Sequence, residues 1–357
     1  LSIRAQSDNP IDIESYAFFA DFNYYLSDQW TLFGGIRFDN EQQQIVTGNN
    51  VSIVSQLPDP STVPAPLAPV IVGVNQFLIS QALDATSQPA GAQSPDFSAF
   101  LPKFGIGYAI DGDKNLNFTV QRGYRSGGVG INAARAESFD FDEEFIWNYE
   151  LAVRTQWLNA DLTVNANFFF IDWEDQQVNV QLSENVFDRE TQNAGRSQIF
   201  GFEIESAYRV APGLQLYGSV GYAESEFTEF LVNVGDATLD LAGNEFAFSP
   251  NWTLAAGITW RSDHGWIANG NANYSSQAFA RADRPQNDRL IDERLLVNFR
   301  AGWESEHYGF YLTGDNLLDE EYILSLIPNN SLLPSATAEF ARFGAPRTLG
   351  LQMEARF

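Results

Sequence analysis

The chain of 357 residues contains no cysteine and only two histidines. Without thiols there is neither a disulfide framework nor a thiolate metal site, which suits a protein that crosses an oxidising compartment. A Ser-His or Cys-His nucleophile needs an imidazole near its substrate, and His264 and His307 both fall in predicted short turns. Bases are scarce too: Lys+Arg 20 against Asp+Glu 46 gives a formal net charge of -26. That acidity excludes a nucleic-acid partner, because a phosphate backbone demands concentrated Lys and Arg. No run approaches the roughly 20 apolar residues of a membrane helix. No leader of charged then apolar residues precedes Leu1, and the chain is expected to be the carboxy-terminal fragment of a longer protein.

Aromatic residues, by contrast, are plentiful at 14%, with 29 phenylalanines. They alternate with polar residues. In the last fourteen residues Leu349, Leu351, Met353, Ala355 and Phe357 share one face, while Gln352, Glu354 and Arg356 share the other. A period of two with one wholly apolar face describes a strand with lipid on one side and water on the other. Only alternate residues of such strands meet lipid, so a mean hydropathy of -0.22 does not exclude the membrane.

The same alternation gives about thirteen candidate strands, at 13–26, 29–40, 98–110, 115–124, 145–158, 161–173, 198–210, 214–223, 251–261, 265–275, 295–304, 308–315 and the carboxy-terminus. Short turns alternate with long segments at 41–96, 125–143, 174–197, 224–249, 276–293 and 317–343. One tight and one elaborate rim are expected of an outer-membrane barrel, with short periplasmic turns, long extracellular loops and a periplasmic carboxy-terminus. All eight tryptophans lie near predicted strand ends, where amphipathic rings favour the headgroup layer. The fold class is therefore all-β, an antiparallel up-and-down transmembrane β-barrel, with residues 1–357 as a single partial-barrel domain. Within it 41–96 is a long extracellular loop, and its apolar stretch 70–83 is open to a short helix, a hairpin or a longer strand.

The loop 277–294 concentrates Arg281, Arg284, Arg289 and Arg294 in an otherwise acidic chain, with Phe279 beside them. Guanidinium forks suit carboxylate, catecholate or phosphate oxygens, and a phenyl ring stacks on a ligand ring. The competing reading pairs these arginines with Asp283, Asp288, Asp292 and Glu293, or with lipopolysaccharide phosphates. Arg125 and Arg135 on a neighbouring long loop are further candidates. Acidic clusters at 140–144 and 319–321 lack the ligand spacing of a known calcium loop, and the glycines of 123–130 lack a phosphate-loop lysine. No catalytic residue, metal ligand or cofactor is assigned.

Several stretches resemble the carboxy-terminal part of a TonB-dependent outer-membrane receptor barrel: Gly123-Tyr124-Arg125-Ser126-Gly127-Gly128, Trp147-Asn148-Tyr149-Glu150-Leu151, and Ile171-Asp172-Trp173 with Asn193-Ala194-Gly195. Asp315-Asn316-Leu317-Leu318 and Gly344-Ala345-Pro346-Arg347-Thr348 complete the set in the expected order. The resemblance implies a 22-stranded barrel filled by an amino-terminal plug, which imports scarce ligands such as ferric siderophores. It implies as partners the TonB complex, through an amino-terminal segment missing here, and outer-membrane lipid and lipopolysaccharide, with the receptor a monomer. About 13 of 22 strands are expected here, so the fragment itself is not expected to transport. A passive porin-like channel is the alternative, and a soluble all-β binding protein is a third.

Overall fold

A computed structural model describes residues 3–7, 10–47, 49–53, 56–86, 91–132, 134–135, 137–183, 188–234, 237–286, 290–327 and 340–356. The wall is one antiparallel sheet whose path visits thirteen strands strictly in chain order. They are β1 (Ile11–Tyr25), β2 (Trp30–Thr47), β3 (Asp96–Ala109), β4 (Lys114–Arg125), β5 (Glu144–Trp157), β6 (Leu162–Glu174), β7 (Arg196–Ala211), β8 (Leu214–Glu229), β9 (Trp252–Arg261), β10 (Trp266–Ser275), β11 (Arg294–Glu304), β12 (Tyr308–Asp315) and β13 (Thr348–Ala355). The first and last have no further partner in that path, so the described wall is an open meander.

Register converts the alternation of single strands into rows. Ile106, Phe118, Leu151, Phe168, Phe202, Tyr222 and Trp252 lie opposite one another across seven strands. One residue along, Asn117, Ala152, Asn167, Glu203, Gly221 and Thr253 make the row on the other face. Cross-strand neighbours sit about 5 Å apart, so aromatic and aliphatic rings mesh along the first row. Phe118, Leu151, Phe168, Phe200 and Leu254 nevertheless stay exposed. No second protein layer covers that face among the described residues. A soluble monomer rarely leaves so large a contiguous apolar belt open to water.

Amides occupy much of the other face. Asn298 and Asn273 both donate to Asn271, and Asn269 donates to the Thr259 hydroxyl and the Tyr217 hydroxyl. The inner wall around Arg154, Asn165, Asn167, Glu203 and Glu205 encloses a polar hollow of about 300 Å3.

Tryptophan placement follows the rows with one exception. Trp30, Trp157, Trp260, Trp266 and Trp303 mark the short-turn end, and Trp266 lies opposite Trp303. Trp252 clusters with Phe202 and Tyr222 near the long loops. Trp173, expected in that upper girdle, has the opposite parity and meets Phe246 edge-on at 6.1 Å, on the loop side. A strand of period two sends neighbouring residues to opposite faces, and proximity to a strand end does not decide which.

Two expectations are refined. The second strand continues past residue 40 to Thr47, because Gln43 turns inward, is buried, and donates to the Gly127 carbonyl. The apolar stretch of the long loop forms helix α1 (Ala68–Thr86). Its β-branched run Val70-Ile71-Val72 suits a strand, but Pro69 in the first turn presets a helical φ. Asn75 then ties the helix back to the Pro58 carbonyl.

Candidate ligand site at the long-loop rim

The only sizeable buried apolar cluster among the described residues lies above the wall, where three long loops meet. Val180, Leu182, Ala194, Phe227, Phe230, Val232, Leu241 and Ala282 form it. They come from loops that each fold into a two-stranded ribbon: Gln177–Gln181 with Arg189–Asn193, Leu231–Val234 with Ala237–Asp240, and Ala278–Phe279 with Leu290–Ile291. The Phe227 ring lies tilted against Phe230 and Phe246, with centroids 4.7 and 4.8 Å away. Six of these side chains, Phe227, Phe230, Leu241, Val180, Val232 and Leu182, would be greasy liabilities on separate loops, and together they fix the loops to one another.

A polar clasp completes the joint. Asp283 accepts both arms of the Arg281 fork, at 2.8 and 2.7 Å, and the backbone N–H of Gln181 at 2.9 Å. Burial pushes the Asp283 carboxyl up, but the Arg281 fork and the Gln181 N–H outweigh it and hold the group below the ordinary carboxylate value. Arg284 donates to the Gln181 carbonyl at 2.6 Å, and Asn244 donates to the carbonyls of Ala282 and Arg284. Gln286 bridges to Glu245 in both directions.

Beside the clasp lies a cavity of about 450 Å3. Phe227, Phe246 and Phe248 line it together with the amides of Gln177 and Asn179 and two guanidinium groups, Arg189 and Arg281. Arg281 is locked by Asp283, so its orientation is fixed. Arg189 has no ion pair among the described residues: its Nε is buried without a partner, and a terminal nitrogen lies 3.4 Å from the Gln181 side-chain oxygen. The pocket thus offers one guanidinium paired with Asp283, one with no ion pair among the described residues, and three phenyl rings.

The residues expected from sequence are dispersed rather than gathered. Arg281 reaches the cavity, but Arg284 serves the clasp. Arg289 and Asp288 lie outside the described residues. Arg294 starts β11 with its guanidinium 5.6 Å from the Tyr322 ring, and the Phe279 carbonyl accepts the Phe248 N–H. Arg125 pairs with the buried Glu144 at 2.9 Å, and Arg135 makes a forked bond to Asp188. Burial pushes Asp188 up, yet bonds from Ser183, Arg135 and Asn132 hold it down.

Arg189 escapes a reading of the sequence because Asp188 and Glu190 flank it and give it the look of a neutralised charge. In the ribbon, neighbours point to opposite sides. Asp188 and Glu190 both turn to Asn132, while Arg189 turns to the cavity.

Against known proteins, a family model described as TonB dependent receptor-like, beta-barrel, matches residues 3–317. The pesticin receptor of Yersinia pestis is 24% identical over 247 residues, 69% of this chain and 30% of that protein. The ferric yersiniabactin uptake receptor FyuA from Yersinia pestis superimposes with a TM-score of 0.74 at 20% identity, covering 99% of this chain and 47% of that one. The ferric-catecholate import receptor Fiu from K12 E. coli, in its closed form, gives a TM-score of 0.68 at 16% identity, over 98% of this chain and 45% of that one. The chain thus spans under a third of the first curated relative and about half of these solved structures.

Proposed function

The chain belongs to the family of TonB-dependent receptor β-barrels, and from that premise we propose that it is part of an outer-membrane receptor for an anionic, aromatic iron chelate. The family is one of receptors and transporters rather than enzymes. The observation that carries the ligand class is Arg189, a guanidinium with no ion pair among the described residues, beside Phe227, Phe246 and Phe248. A ferric catecholate-type siderophore supplies both the negative charge and the rings that this pocket accepts.

The long loops, 41–96 included, face the exterior, and the short turns and carboxy-terminus face the periplasm. The partial wall is completed by further strands and a plug outside these residues, and energy reaches it through TonB. Chain coverage of 47% on a receptor structure supports a larger whole.

Binding to the full-length receptor tests the ligand class. Arg189→Ala should weaken a ferric catecholate chelate by about tenfold, the scale of one lost charge-assisted hydrogen bond. A neutral hydroxyl-rich ligand should bind wild type and variant equally. Equal affinity of the two for the chelate would remove this pocket from the account. Uptake that continues when the proton gradient is collapsed would identify a passive channel instead.

A further inference from the structure

Strand β4 carries two cations on its lipid-facing side, and they bracket the apolar residues Leu116, Phe118 and Val120. Lys114 stands at the short-turn end, its Nζ 4.4 Å over the Trp157 ring and 2.9 Å from the Asp111 carboxylate. Arg122 stands at the long-loop end, opposite Trp147, with its guanidinium carbon 4.0 Å from the centre of the Phe145 ring. Arg122 lies eight steps along the strand from Lys114. That is about 27 Å of strand and roughly 20 Å of height once tilted, the scale of a barrel's apolar band. The two groups therefore mark its two edges.

They differ in how their charge is met. Lys114 has a carboxylate, whereas Arg122 has none within ion-pair distance among the described residues. One of its terminal nitrogens lies 3.4 Å from the Phe100 carbonyl, and its Nε is buried with no partner. Asp172 shares the same outward row but stands two strands away, about 10 Å. A guanidinium at the edge of hydrocarbon is costly unless an anion meets it. At this height, on the face away from the lumen, anions come from the lipid headgroups.

We propose that Arg122 binds the phosphate of a phosphorylated lipid headgroup in the leaflet on the long-loop side; this rests on the outer-membrane reading above. The Phe145 ring lies against the guanidinium, and Tyr124 stands near-parallel to that ring with centroids 6.1 Å apart. Stacking fixes the fork, so its free N–H groups meet two oxygens of one phosphate. The site lies on the outside of the wall, remote in role from the rim cavity.

The test is lipid retention by the full-length receptor, read by native mass spectrometry after extraction in mild detergent. The probes are bisphosphorylated lipid A, the same lipid with both phosphates removed, and inorganic phosphate. Wild type should retain the phosphorylated lipid at least about tenfold better than Arg122→Ala does, with Arg122→Lys between them. Equal retention by wild type and Arg122→Ala would overturn the proposal. So would equal retention of the two lipids by wild type, a comparison that needs no variant to fold. Displacement of the lipid by millimolar inorganic phosphate would identify a free-phosphate site and overturn the lipid assignment. A receptor that stays monodisperse without detergent would instead sink the membrane reading itself.

Discussion

Replacing Asp283 by alanine should release the loop cap and abolish high-affinity ligand binding while leaving the strand wall intact. The side chain is 8% exposed and receives three hydrogen bonds, two from Arg281 and one from the Gln181 backbone. Its loss strands a guanidinium that is itself only 14% exposed, and breaking a buried pair costs about 3–5 kcal/mol. Amide hydrogen exchange reads the effect. Gln181 and the ribbon Leu231–Val234 should exchange much faster, and the amides of β10 and β11 should not change. Arg281→Ala should do nearly the same, and the double variant should cost far less than the sum, since either change alone breaks the pair. Unchanged exchange at Gln181 in the single variants would show that the apolar cluster holds the loops unaided.

Acid should produce a milder version of that result. Asp283 is held below its ordinary value of 3.8. A carboxylate depressed by folding stabilises above its unfolded value, and that stability fades as pH falls through the folded one. Asp188 has the same sign, so the cap should loosen as pH drops below 3.8. Glu245 works the other way: burial raises it above 4.5, so it favours the folded rim in acid and loses that contribution as pH rises. The windows are separate: the Glu245 contribution is already complete below 4.5, so Asp283 and Asp188 alone set the loosening below 3.8.

The second large effect is expected in the wall. Leu151 lies between Phe118 and Phe168 in the outward row, far from both rims, and Leu151→Arg should destabilise the barrel by about 2–4 kcal/mol in a bilayer. Thr119→Lys places a similar charge one residue along β4 from Phe118, on the opposite face beside Glu150, and should cost far less. Urea unfolding of the full-length receptor in vesicles gives the comparison. Equal costs at the two positions would mean that both faces meet the same medium.

The wall was legible because its code is local: a residue's parity places it on lipid or lumen, and thirteen strands in chain order need no long-range knowledge. The rim was less so. Trp173 sits at a strand end like the other tryptophans, and only its odd position, set by the register with Ser197, sends it to Phe246. The arginines of 277–294 looked like a ligand cluster by density alone. In the fold Arg284 reaches more than a hundred residues back to Gln181, a partner no spacing announces. Arg189 was hidden by its acidic neighbours, and a strand of five residues, Arg189–Asn193, is enough to separate it from them. Phe227, Phe230 and Leu241 in the predicted long segment 224–249 did carry a signal, since three large apolar residues there must be covered by something.

These 357 residues hold no cysteine, so one introduced among them is unique within the chain, and any cysteine elsewhere in the receptor is first changed to serine. Single cysteines at Leu116, Asn117, Phe118, Thr119, Val120 and Gln121 of β4 can each carry a spin label in the full-length receptor, reconstituted in a bilayer. Collision with dissolved oxygen, which concentrates in hydrocarbon, should be high at 116, 118 and 120 and low at 117, 119 and 121. Even oxygen accessibility along the strand, or access of a water-soluble nickel complex to the 116, 118 and 120 positions, would contradict it.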